Sequence, residues 1–223
     1  MTNAIITPDI LRIEHSDSAL ELLRNYYGLD QGGSVFTGAS FELIGQDDTA
    51  PFEITAADLV ALSTLSVPVG SYAAIELMSR EFRADATRLL KLIPVGAAID
   101  DADAMKHLAE NGASPAAQLW SRISAVYGMG AVSTSKLLAR KRPALIPVYD
   151  NVIDTQLNLS GVAAMWSRFH EWVNRQQDGS TLIDYARQLA VRGSLPAYVT
   201  PLRVIDVVLW MDGRPRGMGA TEL

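Results

Sequence analysis

The chain has 223 residues, a formal net charge of −6, 48% hydrophobic residues and no cysteine. This apolar content is enough for a sizeable core and excludes a disordered chain. The lack of cysteine excludes disulfides, thiolate nucleophiles, cysteine-ligated zinc and iron–sulfur clusters. No signal peptide or long apolar run is evident, so we expect a soluble, cytoplasmic protein. The negative charge argues against broad non-specific DNA binding but leaves room for a local basic face.

Apolar periodicity, capping residues and prolines predict a succession of helices with one small β element. The segment Val35–Ile44 has β-forming residues around Gly38 and predicts a short β-hairpin near the N-terminus. The predicted helices are Asp17–Tyr27, a helix from Thr55 to just before Pro68, Ser71–Met78, Ser79–Leu92, Asp101–Glu110, Pro115–Tyr127, Ser133–Arg142, Asn151–Leu157, Gly161–Gln177, Thr181–Val191 and Thr200–Met211. We therefore expect an all-α fold: one compact domain at 1–211, in one or two lobes, with a flexible tail at 212–223.

The segment Tyr127–Gly130 places two glycines, one residue apart, between two predicted helices. Glycine lets the backbone approach another group closely, because no Cβ is in the way. The first amides of the following helix lack intrahelical acceptors and lie at the positive end of its dipole. Such a helix start is suited to a phosphate. The alternative is that the two glycines only join two packed helices.

The region around this turn contains no acidic residue between Ile123 and Tyr149 but four cations. The cations are Lys136, Arg140, Lys141 and Arg142. They predict a local basic surface that contacts DNA phosphates in an otherwise acidic protein. The alternative is a solvated helix end, where cations complement the helix dipole.

Asp150 follows a loop with two prolines and precedes the helix Asn151–Leu157, where it is a good N-cap. It comes 150 − 130 = 20 residues after Gly130. Hairpin glycines, helix, proline loop and Asp in this order resemble the helix-hairpin-helix DNA glycosylase superfamily, over a unit at 115–157. The whole chain also resembles an uncharacterised bacterial family, through Ser135–Pro143 and Leu202–Met211, but that likeness carries no function.

The glycosylase resemblance implies DNA as partner and hydrolysis of an N-glycosidic bond. Asp150 would stabilise the positive charge at C1′ of the sugar after the damaged or modified base leaves the stack. The amides of Gly128, Gly130 and Val132 would hold a phosphate, with the four cations as outer contacts. Tyr149 and Asn151 are implied as residues of the base pocket.

The chain departs from the superfamily at the position two residues after the second glycine. Strand-cleaving members carry there a lysine that forms a Schiff base, and this chain has Val132. Lys136 lies one helical turn farther along and is expected not to face the same atom. A monofunctional glycosylase, without lyase activity, is therefore implied. Asn151 and Val152 also replace the pairs typical of relatives, which leaves the base undefined.

Other chemistry has little support in the sequence. The three histidines have no partner at metal-ligand spacing, and no nucleotide-binding or hydrolase motif occurs, so we expect no metal and no cofactor. Two rival interpretations stay open. One is a non-enzymatic helix-hairpin-helix module that binds nucleic acid or a partner and uses Asp150 only as a cap. The other is a purely structural hairpin. The sequence does not indicate an oligomeric state.

Overall fold

The computed structural model describes residues 4–30, 36–46, 50–109, 112–162, 164–176 and 179–214. The elements in these ranges are α-helices and short 3-10 helices, and no β-strand is formed within them, which confirms the all-α prediction. The α-helices are α1 (Ser16–Tyr27), α2 (Ala56–Thr64), α3 (Ser71–Leu77), α4 (Arg80–Leu90), α5 (Ala104–Leu108), α6 (Pro115–Ser124), α7 (Ala131–Lys141), α8 (Asn151–Leu157), α9 (Met165–Asn174), α10 (Leu182–Arg192) and α11 (Pro201–Gly213). The 3-10 helices are Asp9–Leu11, Ile13–His15 and Thr37–Ser40.

Local capping signals explain where several of these helices begin. Thr55 and Asp58 form a reciprocal capping box at the start of α2, as their spacing predicts. Thr181 and Asp184 form a second box at the start of α10. Proline occupies the first turn of both α6 and α11, where its missing N–H is not needed.

Helix α11 lies at the centre of the fold and is buried on nearly every side. It packs against α1, α8 and α10, and its charged residues are Arg203, Asp206 and, in the exposed last turn, Asp212. A helix that is apolar all round belongs in a core. The core is one connected cluster that extends from Ile5 to Met211.

The prediction of a β-hairpin at Val35–Ile44 is wrong for residues 36–44. Val35 lies outside the described residues. Residues 36–46 form a 3-10 helix and turns packed against α1 and α11. Gly38 permits this close packing, because a Cβ there would come within 2.1 Å of the Tyr26 hydroxyl. Phe36 and Phe41 are consequently buried in the core rather than exposed on a hairpin.

The C-terminal tail is described only in part. Helix α11 continues to Gly213, beyond the predicted end at Met211, and residues 215–223 lie outside the described ranges. Within those ranges no helix combines the length and apolar character needed to cross a bilayer.

Candidate active site beside the α6–α7 turn

Of the two glycines in the turn between α6 and α7, only Gly128 has a conformation that favours glycine. Gly128 adopts φ +90°, a left-handed conformation that favours glycine, and Gly130 is the N-cap of α7. Tyr127 beside them is 85% exposed. The amides of residues 131–133, in the first turn of α7, have no acceptor among the described residues. The helix start is therefore open to an external acceptor.

Gly130 has a different role from Gly128. Its φ of −74° suits any residue, and a Cβ there would meet no atom within 4 Å. Neither the backbone nor the packing of the described residues requires a glycine at this position. The effect of Gly130 is to leave space directly in front of the α7 amides.

A cleft of about 230 Å³ begins at the first turn of α7. Its other walls are the end of α2 with residues 65–67, residues 36–38, the loop that leads into α8, and helix α11. Aromatic rings line one side: Tyr26 stacks on Phe36 with centroids 5.4 Å apart, and Trp210 meets Phe36 edge-on at 5.9 Å. The volume lies below the ~300–1,000 Å³ of sites for drug-sized ligands, so it suits a small ring system.

Asp150 lies in this cleft and its two carboxylate oxygens have different partners. Oδ1 accepts hydrogen bonds from the amides of Val152 at 2.9 Å and Ile153 at 3.0 Å, so Asp150 is the N-cap of α8. Oδ2 lies 3.8 Å from Nζ of Lys136. The side chain is 12% exposed. One oxygen thus fixes the carboxylate while the other remains at the cleft.

Lys136 faces the same cleft as Asp150. Its Nζ donates to the backbone carbonyl of Leu65 at 3.1 Å, and its side chain is 8% exposed. Burial lowers the pKa of Lys136, and the nearby Asp150 carboxylate acts in the opposite direction. Residues four apart lie on the same face of a helix, so Val132 and Lys136 both line the cleft.

Sequence analysis missed a group of buried polar residues on the opposite wall. Arg203 donates to Asp206, to the Tyr26 hydroxyl at 2.7 Å and to the Gly38 carbonyl at 2.9 Å. Its Nε lies 2.9 Å from Oε1 of Glu42, an ion-pair distance, although the N–H is not aimed for a hydrogen bond. The available signal was a pair of opposite charges three residues apart inside the apolar run of α11.

The predicted DNA-facing basic surface is corrected by the structure. Nε of Arg140 lies 3.0 Å from Oδ1 of Asp58, and Nζ of Lys141 lies 2.9 Å from Oδ2 of the same residue. Both cations are largely buried, as Lys136 is. Because α7 packs inside the fold, its cations reach an internal carboxylate and backbone carbonyls instead of solvent.

Arg142 is also internal, with no exposed surface. Its guanidinium donates to the carbonyls of Leu90, Ile93 and Pro51 at 2.6 to 3.0 Å. Leu90 is the last residue of α4, where a cation complements the helix dipole, and Ile93 lies in the turn that follows. Burial lowers its pKa to about 10. Arg142 therefore holds α4 in place and is not accessible to DNA.

The two predicted pocket residues differ in position. Asn151 is exposed and lines the cleft next to Asp150. Tyr149 is buried and does not line the cleft; its amide donates to Ser135 Oγ at 2.8 Å. Burial, with Asp154 beside it, raises the pKa of the Tyr149 hydroxyl. Successive residues of an extended segment point to opposite sides, so Tyr149 faces away when Val148 and Asp150 face the cleft.

One known protein family matches this chain. The model of DUF6308, a family of unknown function, matches residues 19–213. The chain belongs to this family. The DUF6308 match runs from within α1 to the end of α11 and so includes the α6–α7 turn, Asp150 and the cleft. Comparisons with curated proteins and with solved structures give no match.

Proposed function

We propose that the protein binds DNA in the cytoplasm and hydrolyses the N-glycosidic bond of an extruded base without cutting the strand. The observation that carries this proposal is the placement of Asp150. Its carboxylate is fixed by two amides, and its second oxygen remains at a cleft lined by aromatic rings. The cleft begins at Val132, two residues after the glycine that leaves the α7 amides open.

The chemistry of base excision suits such a carboxylate. As the bond from C1′ to the base breaks, positive charge develops on the sugar. A carboxylate fixed before the reaction stabilises this charge without reorganising, and in a water-poor cleft its effect is larger than in solvent. Aromatic walls such as Trp210 and Phe36 offer stacking surfaces for a base that has left the duplex.

DNA anchoring in this proposal depends on backbone amides, because the cations of α7 are internal. A phosphate at the first turn of α7 would accept hydrogen bonds from the amides of residues 131–133. Few counterions are released when amides replace lysines and arginines as phosphate contacts. We therefore expect a shallow dependence of DNA affinity on salt, equivalent to about one or two phosphate charges.

The proposal that the strand is not cut rests on Val132 and Lys136 of α7. Val132 has no amine, and Lys136 is held between Asp150 and the Leu65 carbonyl. An imine with the abasic sugar requires a free, neutral amine that reaches C1′. The ion pair with Asp150 keeps Lys136 from this role.

The test is a base-release assay on duplexes that carry a panel of damaged and modified bases. Wild-type protein should release at least one base, and Asp150→Asn should lose about 10³-fold or more of that rate while still binding DNA. Asp154→Asn is the matched control, since Asp154 is one turn along α8 and does not line the cleft. Borohydride should trap no covalent adduct; an adduct would show that Lys136 reaches C1′.

A non-enzymatic DNA-binding module is the second candidate, and the cap geometry of Asp150 favours it. Asp150 Oδ1 makes the two hydrogen bonds of an N-cap, and most of the side chain is covered. On this alternative no base on the panel is released, but DNA still binds and protects the α6–α7 turn. Release of a base that is unchanged in a folded Asp150→Asn variant would overturn the proposed catalytic role of Asp150.

A further inference from the structure

Asp206 is a second carboxyl group in the same cleft, and sequence analysis did not identify it. Its Oδ2 accepts a hydrogen bond from Arg203, whereas its Oδ1 accepts none from the described residues. The residue is only 7% exposed, yet it lines the cleft together with Asp150 and Lys136. Oδ1 of this largely buried residue thus has hydrogen-bonding capacity left for a ligand in the cleft.

The groups around Asp206 have opposite effects on its pKa. Burial raises its pKa to about 6 and the Asp150 carboxylate adds to this, while Arg203 and Lys136 favour the ionised form. The charged or titratable groups around it are Arg203 on α11, Lys136 on α7, Asp150 before α8, Tyr26 and Tyr27 on α1, and Glu42, which pairs with Arg203. Burial therefore moves the pKa of Asp206 toward the range that suits an acid catalyst.

Asp150 and Asp206 are suited to different roles. Asp150 makes the contacts of a carboxylate, with two amide donors and an ammonium group. Asp206, in contrast, keeps one carboxyl oxygen without a partner among the described residues. Two carboxyl groups in one site, one of them acting as the acid, are typical of sugar-bond hydrolysis. We propose that Asp206 is the acid of this site and donates its proton to the departing base, an inference that rests on the hydrolase function proposed above.

The step balances without an oxidant or reductant. The bond between C1′ and the ring nitrogen breaks, its electron pair goes to the base, and the proton of Asp206 neutralises that base. Water supplies the oxygen that bonds to C1′, and the proton that the water loses restores the acid form of Asp206. One water molecule is consumed, and a sugar hydroxyl and a neutral base are the products.

This role defines the class of substrate. A neutral base leaves as an anion unless it is protonated, so its release depends on Asp206. A base that already carries a positive charge, such as 7-methylguanine, leaves as a neutral molecule and needs no acid. The presence of a buried acid in the cleft therefore favours neutral, uncharged bases as the natural substrates.

The experiment measures single-turnover base release from two duplexes between about pH 5 and about pH 9. One duplex carries a neutral base and the other carries 7-methylguanine. The proteins are wild type, Asp206→Asn, Asp150→Asn and the control Asp212→Asn. Asp212 also lies on α11 but is exposed and does not line the cleft. Circular dichroism establishes that each variant is folded.

For the neutral base we expect the wild-type rate to fall about ten-fold per pH unit above the pKa of Asp206. Asp206→Asn should release this base about 10²–10⁴-fold more slowly, and its rate should not fall with pH in this way. Release of 7-methylguanine should vary little with pH or with Asp206→Asn, and Asp150→Asn should slow both. Equal losses on both bases, or a flat wild-type profile on the neutral base, overturn the acid role alone. Release of neither base by wild type overturns the hydrolase function as well. If Asp206→Asn does not fold, the two wild-type profiles decide.

Discussion

Asp58 offers the sharpest test of the finding that the cations of α7 are structural. Its side chain is 5% exposed and lies between Arg140 at 3.0 Å and Lys141 at 2.9 Å. It also accepts hydrogen bonds from the amide of Thr55 at 2.9 Å and the hydroxyl at 3.1 Å. Asp58→Asn keeps the size of the side chain and part of the capping box, but it removes the charge that two buried cations share.

The expected loss follows from this geometry. Removal of one partner from a buried ion pair typically costs about 3–5 kcal/mol, because a buried charge is left uncompensated. Each cation keeps at least one backbone carbonyl as acceptor, which places the expected loss near the lower end, at about 3 kcal/mol. For a chain of this size that is a fall in Tm of about 6–12 °C.

The second capping box provides a matched control. Asp184→Asn changes the same residue in the same Thr-X-X-Asp motif, with Thr181 as the N-cap. Asp184 is 46% exposed and pairs with the exposed Arg187, so the loss should be less than about 1 kcal/mol. Urea unfolding followed by circular dichroism measures both. Equal losses in the two variants would refute the argument that burial of the ion pairs makes Asp58 important.

Two further predictions concern the turn and the cleft. Gly128→Ala should lower the free energy of unfolding by about 1–2 kcal/mol, because a φ of +90° strains alanine even though its Cβ would meet only Ala73, at 3.9 Å. Gly130→Ala, at a φ of −74° and with no atom within 4 Å, should change that free energy by less than about 0.5 kcal/mol. Urea unfolding of both variants checks this, and similar losses would contradict it. Burial raises the pKa of Asp206 from 3.8 to about 6, so its protonated form stabilises the fold fully below about pH 4, and that contribution is lost as pH rises through about 6. The free energy of unfolding of Asp206→Asn should therefore fall less between these pH values than that of wild type. Parallel pH profiles of the two proteins would contradict the conclusion that burial raises the pKa of Asp206.

The sequence alone determined the helices and the local form of the α6–α7 turn. Capping boxes at Thr55 and Thr181, prolines in the first turns of α6 and α11, and glycines at the turn act through neighbours a few residues away. These interactions are complete within one segment, so their pattern is visible without the fold. For the same reason, the N-cap position of Asp150 was predictable.

Only the tertiary structure decided which charges are exposed and which meet in the cleft. Arg140 pairs with Asp58, 82 residues away along the chain, and Lys136 donates to Leu65, 71 residues away. The predicted basic surface was wrong for this reason, and nothing in the sequence indicated that Lys136 lies beside Asp150. A long charged side chain extends to whichever acceptor packing brings near it, and desolvation makes that partner necessary. Periodicity fixes the face on which such a residue lies, but its partner comes from another part of the chain.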